Sequence, residues 1–506
     1  MKDAIIGYDT YVGGYIRENL DPNTTEYYNE LNFDKISGKY SRVFVCCVPI
    51  SQWDANKNPY RDGRIINDIF NLVKSIDCEN IILFSTIEVH TRTSINNEKV
   101  NDVSVDTFGR NRFKLEQDLR FIFDNKLLIV RLPETFGIDV NYNVLSELMK
   151  GKNVNSINMN SAYQWYPMAW LYQDMITAFQ SDLKVINLYP EAIETSDIIC
   201  EIFPKYKGKG YYGRRVHSRH TSMHENKYMF SPKSILSVMK DFVIMNEYKN
   251  SPNKMVVSNL AWESYHDKHA IFLMKRYGIS KVEISPTRYA TWKENFENPS
   301  FHKEYIKNKI EVYSIQSVLN GVNGDFEENP MSICNHLDNV TNLCEKVGGK
   351  IIIIDCADKR NTKGINLCEK NLSDVLNSVQ KKNKRVKICL QPISKEYGCK
   401  VGINIEECNK IIGGNSFYMN FDTGNYLMER DESFHLKMKN IKHCSLSCSF
   451  QRPIHHITYE RFKRRDINDC LSKAHKDSSI SLRIRCQDIT NLGEHFRRFS
   501  TFMAGL

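Results

Sequence analysis

Carboxylate side chains stand in or at the end of short apolar runs in the C-terminal half of the chain. Glu283 lies within VEIS and Asp422 ends NFD. A carboxylate at such a position can take a proton from a substrate, so Glu283 and Asp422 are candidate catalytic residues. Six further residues at or just beyond such runs are candidates for substrate binding: Trp262, Glu263, Gln316, Gln391, Glu396 and Arg483.

A glycine-containing turn near the N-terminus could hold a phosphate group. It follows the apolar residues Ala4–Ile6 and carries Gly7, Thr10, Val12 and Gly13, which are candidate cofactor-binding residues. Glycine at such a turn lets the backbone approach a pyrophosphate at the start of a helix. A purely structural strand–helix turn also needs glycine, so both interpretations stay open.

These residues require strands and helices that position them. Residues 1–250 alternate apolar runs with helical segments, which predicts a doubly wound parallel sheet covered on both faces. Predicted strands are Ala4–Ile6, Val43–Val48, Ile81–Phe84 and Leu127–Arg131; predicted helices are Ile65–Ile76, one beginning near Phe108, and Pro232–Val243.

The strand–helix rhythm restarts at Lys254. Eight candidate strands in about 250 residues predict a (β/α)8 barrel, in which binding groups lie at the carboxyl ends of the strands. The predicted strands are Met255–Asn259, Lys281–Ser285, Glu311–Ile315, Ile351–Asp355, Val386–Leu390, Phe417–Phe421, His443–Ser447 and Ile480–Ile484. The fold class is therefore α/β: a Rossmann-type domain (1–204), a basic connecting segment with a helix (205–253) and a TIM barrel (254–506).

The first 200 residues resemble the extended short-chain dehydrogenase/reductases, a family of NAD-dependent nucleotide-sugar epimerases, dehydratases and reductases. The resemblance is carried by LFSTIEVH (83–90), FGRNRFKLE (108–116), LIVRLPETFG (128–137) and YQWYPMAWLYQD (163–174). It implies NAD or NADP as cofactor and a nucleotide-sugar as ligand. It also implies a Ser or Thr after one strand and a Tyr-x-x-x-Lys pair on the next helix.

The matching positions here are Thr86, Phe108 and Arg112. Phenylalanine has no proton to exchange, so the usual acid–base chemistry is in doubt. Thr86 and Arg112 remain candidate catalytic residues. Glu88, His90 and Glu134 are nearby alternatives for the missing tyrosine.

Residues 254–506 resemble the xylose isomerase-like sugar phosphate isomerase/epimerase barrels. The resemblance is carried by SNLAWE (258–263), VEISPT (282–287), SIQSVLNG (314–321), LQPISKEYGC (390–399), FDTGN (421–425) and ISLRIR (480–485). It implies a sugar or sugar phosphate ligand. Active members hold a divalent cation through Glu, Asp, His and Glu side chains at four strand ends.

The corresponding residues are Gln391, Asp422, Ser445 and Arg483, so only the aspartate is kept. We therefore expect no divalent metal, because arginine places a fixed positive charge where the cation would lie. His443 lies two residues before Ser445, and we expect it to point to the other side of its strand.

Composition and charge limit the classes of partner and the cellular location that we expect. The net charge of +9 is modest for 506 residues. The basic clusters at 214–219 and 461–465 are interpreted as solvated surfaces and not as a nucleic-acid interface. The chain has no apolar run long enough to cross a membrane and no signal peptide pattern. Its 15 scattered cysteines, without a CxxC pair, indicate reduced thiols and a cytoplasmic location.

Two functions remain open. The first is a carbohydrate-modifying protein, a nucleotide-sugar or sugar epimerase, isomerase or dehydratase of glycan biosynthesis with altered active sites; a homo-oligomer is compatible with it. The alternative is a catalytically inactive binding or structural protein that retains both folds. A nucleic-acid enzyme related to the abasic-site endonucleases is disfavoured, because it needs the metal ligands that are replaced here.

Overall fold

The computed structural model describes residues 1–46, 52–91, 98–100, 103–141, 143–206, 221, 227–249, 255–425, 441–447, 479–484, 486 and 488–504. The chain divides into two compact units, Met1–Asn246 and Glu247–Leu506. The domain boundaries inferred from the sequence, at 204 and 254, stay predictions. Both basic clusters, and most of the segment 205–226, lie outside the described residues.

The first unit contains a six-stranded parallel sheet and a small three-stranded sheet. Its strands are β1 (Lys2–Ile6), β2 (Thr25–Tyr28), β3 (Lys39–Val45), β4 (Asp77–Thr86), β5 (Leu127–Leu132), β6 (Glu134–Phe136), β7 (Ala162–Pro167), β8 (Val185–Asn187) and β9 (Ala192–Glu194). Its helices are α1 (Tyr11–Arg17), α2 (Gln52–Lys57), α3 (Pro59–Val73), α4 (Thr107–Phe123), α5 (Val144–Lys150), α6 (Leu171–Gln180), α7 (Thr195–Ile202) and α8 (Pro232–Lys249).

The order of the large sheet is β2-β1-β3-β4-β5-β8, with every neighbouring pair parallel. Alternate side chains of β1 enter two different cores, because successive residues of a strand face opposite sides. Ala4 and Ile6 pack with α3 and α4, whereas Ile5 packs with α1 and α6. The strand order reverses between β1 and β3, because β2 lies on one side of β1 and the later strands lie on the other. Doubly wound folds bind ligands at such a reversal point.

The second unit is a closed barrel of eight parallel strands in sequence order. They are β10 (Met255–Ser258), β11 (Lys281–Ile284), β12 (Glu311–Ile315), β13 (Ile351–Ile354), β14 (Lys387–Leu390), β15 (Tyr418–Asp422), β16 (Ile441–Ser447) and β17 (Ser479–Arg483). The described helices are α9 (Asp267–Arg276), α10 (Trp292–Glu297), α11 (Lys303–Lys307), α12 (Pro330–Lys346), α13 (Ile365–Lys382), α14 (Ile405–Ile412) and α15 (Leu492–Ala504).

The predicted fold class, a doubly wound parallel sheet followed by a (β/α)8 barrel, is confirmed. All eight predicted barrel strands exist, and their ends differ from the prediction by two residues at most. Within the described part of the chain, no helix is both long enough and apolar enough to span a bilayer.

Candidate functional site

A cavity of about 780 Å³ opens among the carboxyl ends of the barrel strands. Such a volume is typical of small-molecule sites, and this end of a barrel is where they occur. The described lining residues are Ser258, Leu260, Glu263, Arg288, Gln316, Ser317, Asn320, Asp355, Cys356, Ala357, Asp358, Asn361, Gln391, Ile393, Tyr397, Asn425, Arg483 and Ile484. Gln316, Gln391, Arg483 and Glu263, all predicted to bind substrate, are among them.

A buried charged network lies beneath this cavity, centred on Glu283 of β11. Glu283 has no solvent exposure. Its Oε1 accepts from Arg483 Nε at 2.5 Å, and its Oε2 lies 2.8 Å from both Ser314 Oγ and His443 Nε2. An irregularity in the pairing of β11 with β12 sets Ser314 directly opposite Glu283. The network extends through His443 Nδ1, which lies 2.7 Å from Ser479 Oγ.

Arg483, the last residue of β17, connects the network to the cavity floor. Its Nη1 donates to Gln391 Oε1 at 2.8 Å, and Gln391 Oε1 also accepts from Asn420 Nδ2 at 2.8 Å. Its Nη2 lies 3.5 Å from Asp355 Oδ2. The guanidinium therefore sits between a fully buried carboxylate below and a cavity-lining carboxylate above.

The charges around Arg483 give the nearby carboxyl groups different acidities. Burial alone would raise the pKa of Glu283, but the charge of Arg483 and the hydrogen bonds from His443 and Arg483 lower it to about 2. Burial raises the pKa of Asp355, which the charge of Arg483 opposes. The pKa of Asp422 is raised by burial as well, again against the charge of Arg483. A carboxylate with a raised pKa is the better proton acceptor near neutral pH.

In the described part of the barrel, two buried polar atoms of the cavity-lining residues have no hydrogen-bond partner. They are Gln316 Oε1, whose side chain is held by a 2.6 Å bond from Nε2 to Ser258 Oγ, and Arg483 Nη2. Both side chains are more than nine-tenths buried. A buried polar atom left unpaired costs free energy, so a ligand hydroxyl or a water at the floor would be stabilising there.

The remaining predicted substrate-binding residues are placed differently. Trp262 is buried, donates from Nε1 to Asp267 Oδ1 at 2.8 Å and packs on Phe496, and it does not line the cavity. Glu396 is exposed on a short turn, where its neighbour Tyr397 lines the cavity instead. The contacts of Trp262 with Asp267 and Phe496 are those of a residue that supports a loop and does not contact a ligand.

The predicted catalytic carboxylates both lie beneath the cavity and not at its surface. Glu283 is fully hydrogen-bonded and has a lowered pKa, so it is a poor proton acceptor in this arrangement. Asp422 Oδ1 accepts from Asn425 and Ser447, while its buried Oδ2 has no hydrogen-bond partner. Asp355 is the acidic residue that both borders the cavity and has a raised pKa.

The positions that correspond to metal ligands in the resembled family form an amide and guanidinium network. Gln391 bonds to Arg483 directly, and Asn420 Nδ2 connects Gln391 to Ser445 Oγ at 3.0 Å. Among the described residues, no group of three His, Cys, Asp or Glu side chains could hold a metal ion. The prediction that His443 points away from this site is wrong, because residues two apart on a strand share a face.

Buried hydrogen bonds hold the rim of the cavity. Arg360 has no exposure and donates to the carbonyl oxygens of Cys356 and Gln391, which ties the loops after β13 and β14 together. Asp267, at the start of α9, accepts from the hydroxyl groups of Tyr289 and Tyr305, each at 2.8 Å, and Tyr289 directly follows the lining residue Arg288. A rigid rim means that the described part of the site is largely formed before a ligand binds.

In the first unit, the glycine turn follows β1 at the reversal point of the sheet. Gly7 has a φ of 85°, in the left-handed region that favours glycine. A Cβ at Gly13 would lie 1.9 Å from Gly7 O, so only glycine permits this close approach of helix α1. The hydroxyl of Thr10 donates to Gly7 O and lies 3.1 Å from Cys46 O, and it caps α1 by accepting from Gly13 N.

This turn fits a dinucleotide only in part. Gly7 and Gly13 supply the tight turn and the close helix packing, but Thr10 occupies the middle position, where glycine would let the backbone approach a pyrophosphate. Val12 lies in the first turn of α1.

The predicted catalytic residues of the first unit are engaged in structural contacts. Arg112 is 3% exposed, and its Nη1 donates to both oxygens of the fully buried Asp62 at 2.8 and 2.9 Å. The Arg112 guanidinium also lies over the ring of Phe108, 3.7 Å from its centre. Thr86 accepts from Glu88 N at 3.2 Å. The placement of Arg112 suits an ion pair between α3 and α4 and not contact with a substrate.

The candidate residues named from the sequence left out several residues of the barrel site, above all Asp355, which ends the predicted strand Ile351–Asp355. A signal was present: Asp355 directly follows the apolar run IIII, the position at which barrels carry site residues. Asn320 and Asn361 also line the cavity, but they lie in loops, where a sequence pattern gives no indication of direction; Asn425 lies in the helical residues directly after β15.

Similarity to known proteins is found among solved structures. No family model and no curated protein matches the chain. A UDP-glucuronic acid 4-epimerase variant from Bacillus cereus is 15% identical, with a TM-score of 0.39, over 48% of this chain and 98% of its own. A UDP-N-acetylglucosamine 4-epimerase from Methanobrevibacter ruminantium is 15% identical, with a TM-score of 0.40, over 48% and 96%. A dTDP-4-dehydrorhamnose reductase from Yersinia enterocolitica is 13% identical, with a TM-score of 0.39, over 48% and 98%.

Proposed function

We propose that the chain is a carbohydrate-modifying protein whose barrel binds a polyhydroxylated ligand in the cavity at the strand ends. The observation that carries this proposal is a pair of buried atoms on cavity-lining residues, Gln316 Oε1 and Arg483 Nη2, that have no hydrogen-bond partner among the described residues. A hydroxyl group both donates and accepts, so one sugar hydroxyl could satisfy an acceptor and a donor together.

The lining as a whole supports a ligand rich in hydroxyl groups. Five amide side chains of the described lining each offer a donor and an acceptor: Gln316, Asn320, Asn361, Gln391 and Asn425. Asp355 is the proposed proton acceptor in place of Glu283 and Asp422, because it borders the cavity and its pKa is raised by burial. Proton transfer by Asp355 would need no metal ion.

The second candidate function is binding without turnover. It is favoured by the tight pairing of Glu283 with Arg483, which keeps the most buried carboxylate of the barrel out of proton transfer. The two candidates differ in one measurable respect. If the site is catalytic, a bound sugar should exchange the hydrogen on the carbon next to its carbonyl group for deuterium from D2O, and Asp355→Asn should stop this exchange. If the site only binds, no exchange should occur.

For the first unit we propose a dinucleotide or nucleotide-sugar site at the reversal point of the sheet. The turn of Gly7 and Gly13 supports it, whereas Thr10 and Phe108 make the usual hydride-coupled chemistry doubtful. NAD or NADP that copurifies with the full chain would be detected by native mass spectrometry. The absence of a thermal shift with NAD, NADP and UDP-sugars would contradict this site.

Calorimetric titration of the full chain with free sugars tests the barrel proposal. We expect at least one aldose, ketose or cyclitol to bind, and Gln316→Leu to weaken that binding at least tenfold, or about 1.4 kcal/mol. Gln117→Leu makes the same change at an exposed position of α4 and serves as the control. Binding that is unchanged in Gln316→Leu, or no sugar bound by the wild-type chain, would contradict the proposal.

A further inference from the structure

We propose that the barrel cavity selects an uncharged sugar against the phosphorylated form of the same sugar. This inference rests on the proposed carbohydrate site and adds the charge of its ligand. It is carried by the charges that border the cavity and by the contacts that already engage its two arginines.

Carboxylates outnumber guanidinium groups among the described lining residues. Glu263, Asp355 and Asp358 line the cavity together with Arg288 and Arg483. The fully buried Glu283 adds a further negative charge directly beneath the floor, 2.5 Å from Arg483 Nε. A phosphate monoester carries close to two negative charges at neutral pH, so each of these carboxylates would repel it, while Lys359 offsets the charge of Asp358.

Arg288 is engaged by acceptors of the protein. Its Nη1 donates to the carbonyl oxygen of Asn259 and its Nη2 to that of Trp262, while Nη2 lies 3.6 Å from Glu263 Oε2. These contacts fix the guanidinium against the loop after β10. A phosphate would have to displace these carbonyl acceptors before it could bind the guanidinium. Arg288 therefore does not offer an anion the pair of parallel hydrogen bonds that a free guanidinium can give.

Arg483 is engaged in the same way at the floor. Glu283 and Gln391 accept from its Nε and Nη1, and Asp355 faces its Nη2. Among the described residues Nη2 has no hydrogen-bond partner, so it can donate to a ligand oxygen, and Gln316 Oε1 can accept a hydrogen bond from a ligand. A donor and an acceptor on the same cavity lining suit a hydroxyl, whereas an ionised phosphate oxygen has no hydrogen to donate to Gln316.

Asp355 and Asp358 therefore act as specificity residues. Asp355 is held near Arg483 at the floor, and Asp358 lies further out with a largely exposed side chain, 3.1 Å from Lys359 Nζ. An anionic ligand would raise the pKa of Asp355 beyond the increase that burial already causes, so its binding would take up a proton.

Paired calorimetric titrations of the full chain test the inference. The probes are D-glucose with glucose 6-phosphate, D-fructose with fructose 6-phosphate, and myo-inositol with inositol 1-phosphate. Within every pair that binds, we expect the free compound to bind at least tenfold more tightly. Equal or tighter binding of the phosphorylated member would overturn the inference. If the phosphorylated compound bound more tightly and Gln316→Leu abolished its binding, the inference would fail but the proposed carbohydrate site would still be supported. If no member of any pair bound, the proposed function itself would be contradicted.

Charge reversal at Asp358 provides a second test on a residue that is exposed enough to change without unfolding. Asp358→Lys should reduce the preference for the free sugar at least threefold, because it replaces a repulsive charge by an attractive one. Asp374→Lys, on the exposed surface of α13, makes the same change of charge away from the cavity and should leave the preference unaltered. A preference that stays the same in Asp358→Lys would contradict the role of this residue.

Discussion

Each unit of the chain buries one arginine against one glutamate, and the two pairs differ in what surrounds them. In the first unit, Arg131 is 1% exposed and Glu116 is fully buried. Every side-chain nitrogen of Arg131 has an acceptor. Nε and Nη2 donate to the carboxylate of Glu116, and Nη1 donates to the carbonyl oxygen of Glu98. Glu116 also accepts from Ser85 Oγ at 2.6 Å.

In the barrel, Arg483 pairs with Glu283 at a similar depth, but the arrangement is open on one side. Arg483 Nη2 has no hydrogen-bond partner within the ranges that the structure describes, and Arg483 borders a cavity of about 780 Å³. The comparison indicates which buried ion pair serves the fold and which serves a site. A fully satisfied pair has nothing left to offer a ligand, whereas an unsatisfied one beside a cavity does.

The largest expected effect follows from breaking the closed pair. Glu116→Ala leaves Arg131 buried without its counter-charge, and we expect a loss of about 4 kcal/mol in the free energy of unfolding of the first unit. Hydrogen exchange measured by mass spectrometry would report that unit separately from the barrel. A loss below about 1 kcal/mol would mean that Arg131 finds another acceptor.

Breaking the open pair should cost somewhat less and should also change binding. In Glu283→Ala the arginine keeps Asp355 and Asp422 as nearby counter-charges, so we expect a loss of about 3 kcal/mol in the barrel. Replacing both partners, Glu283→Leu with Arg483→Met, should recover most of this stability but not the affinity for sugar. A double variant that binds sugar normally would contradict the role of Arg483.

Acid should distinguish the barrel from its Glu283→Gln variant. The folded-state pKa of Glu283, about 2, lies below its ordinary value of 4.5. The stability that ionised Glu283 contributes is therefore complete above pH 4.5 and is lost as the pH falls through about 2. We expect this loss to reach about 3 kcal/mol in urea unfolding of the wild-type barrel, and to be absent in Glu283→Gln. Parallel acid curves for the two proteins would contradict the lowered pKa.

The smallest effect concerns the cap of α1. Thr10→Ala removes the hydroxyl that accepts from Gly13 N and donates to Gly7 O, and we expect a loss of about 1 kcal/mol in the first unit. If the turn binds a dinucleotide, Thr10→Gly should improve that binding, because it restores the backbone approach at the middle position. Thermal shift with NAD compares the two variants directly.

Much of the fold could be predicted because its strands are continuous apolar runs. IIII at 351–354 is a strand buried on both faces, and the predicted strand Glu311–Ile315 matches β12 at both ends. The short sheet of β6, β7 and β9 was not predicted, because its strands are three to six residues long and two of them have no apolar run.

The site was predictable only in part, because its decisive contacts join distant residues. Glu283 and Arg483 are 200 residues apart, and Glu283 and His443 are 160 apart, so no local pattern reveals either contact. Gln316, Gln391 and Arg483 could be named because they end strands or follow them directly. Arg112 looked catalytic by position alone, and its buried partner Asp62 is visible only once the helices are packed.

A crystal structure of the full chain with its best-binding free sugar would test the central claim most directly. We expect a sugar hydroxyl within hydrogen-bond distance of both Gln316 Oε1 and Arg483 Nη2. We expect Asp355 to lie beside the carbon atom that carries this hydroxyl or beside an adjacent carbon atom. A floor in which ordered water satisfies both Gln316 Oε1 and Arg483 Nη2 while the sugar lies elsewhere would contradict the claim.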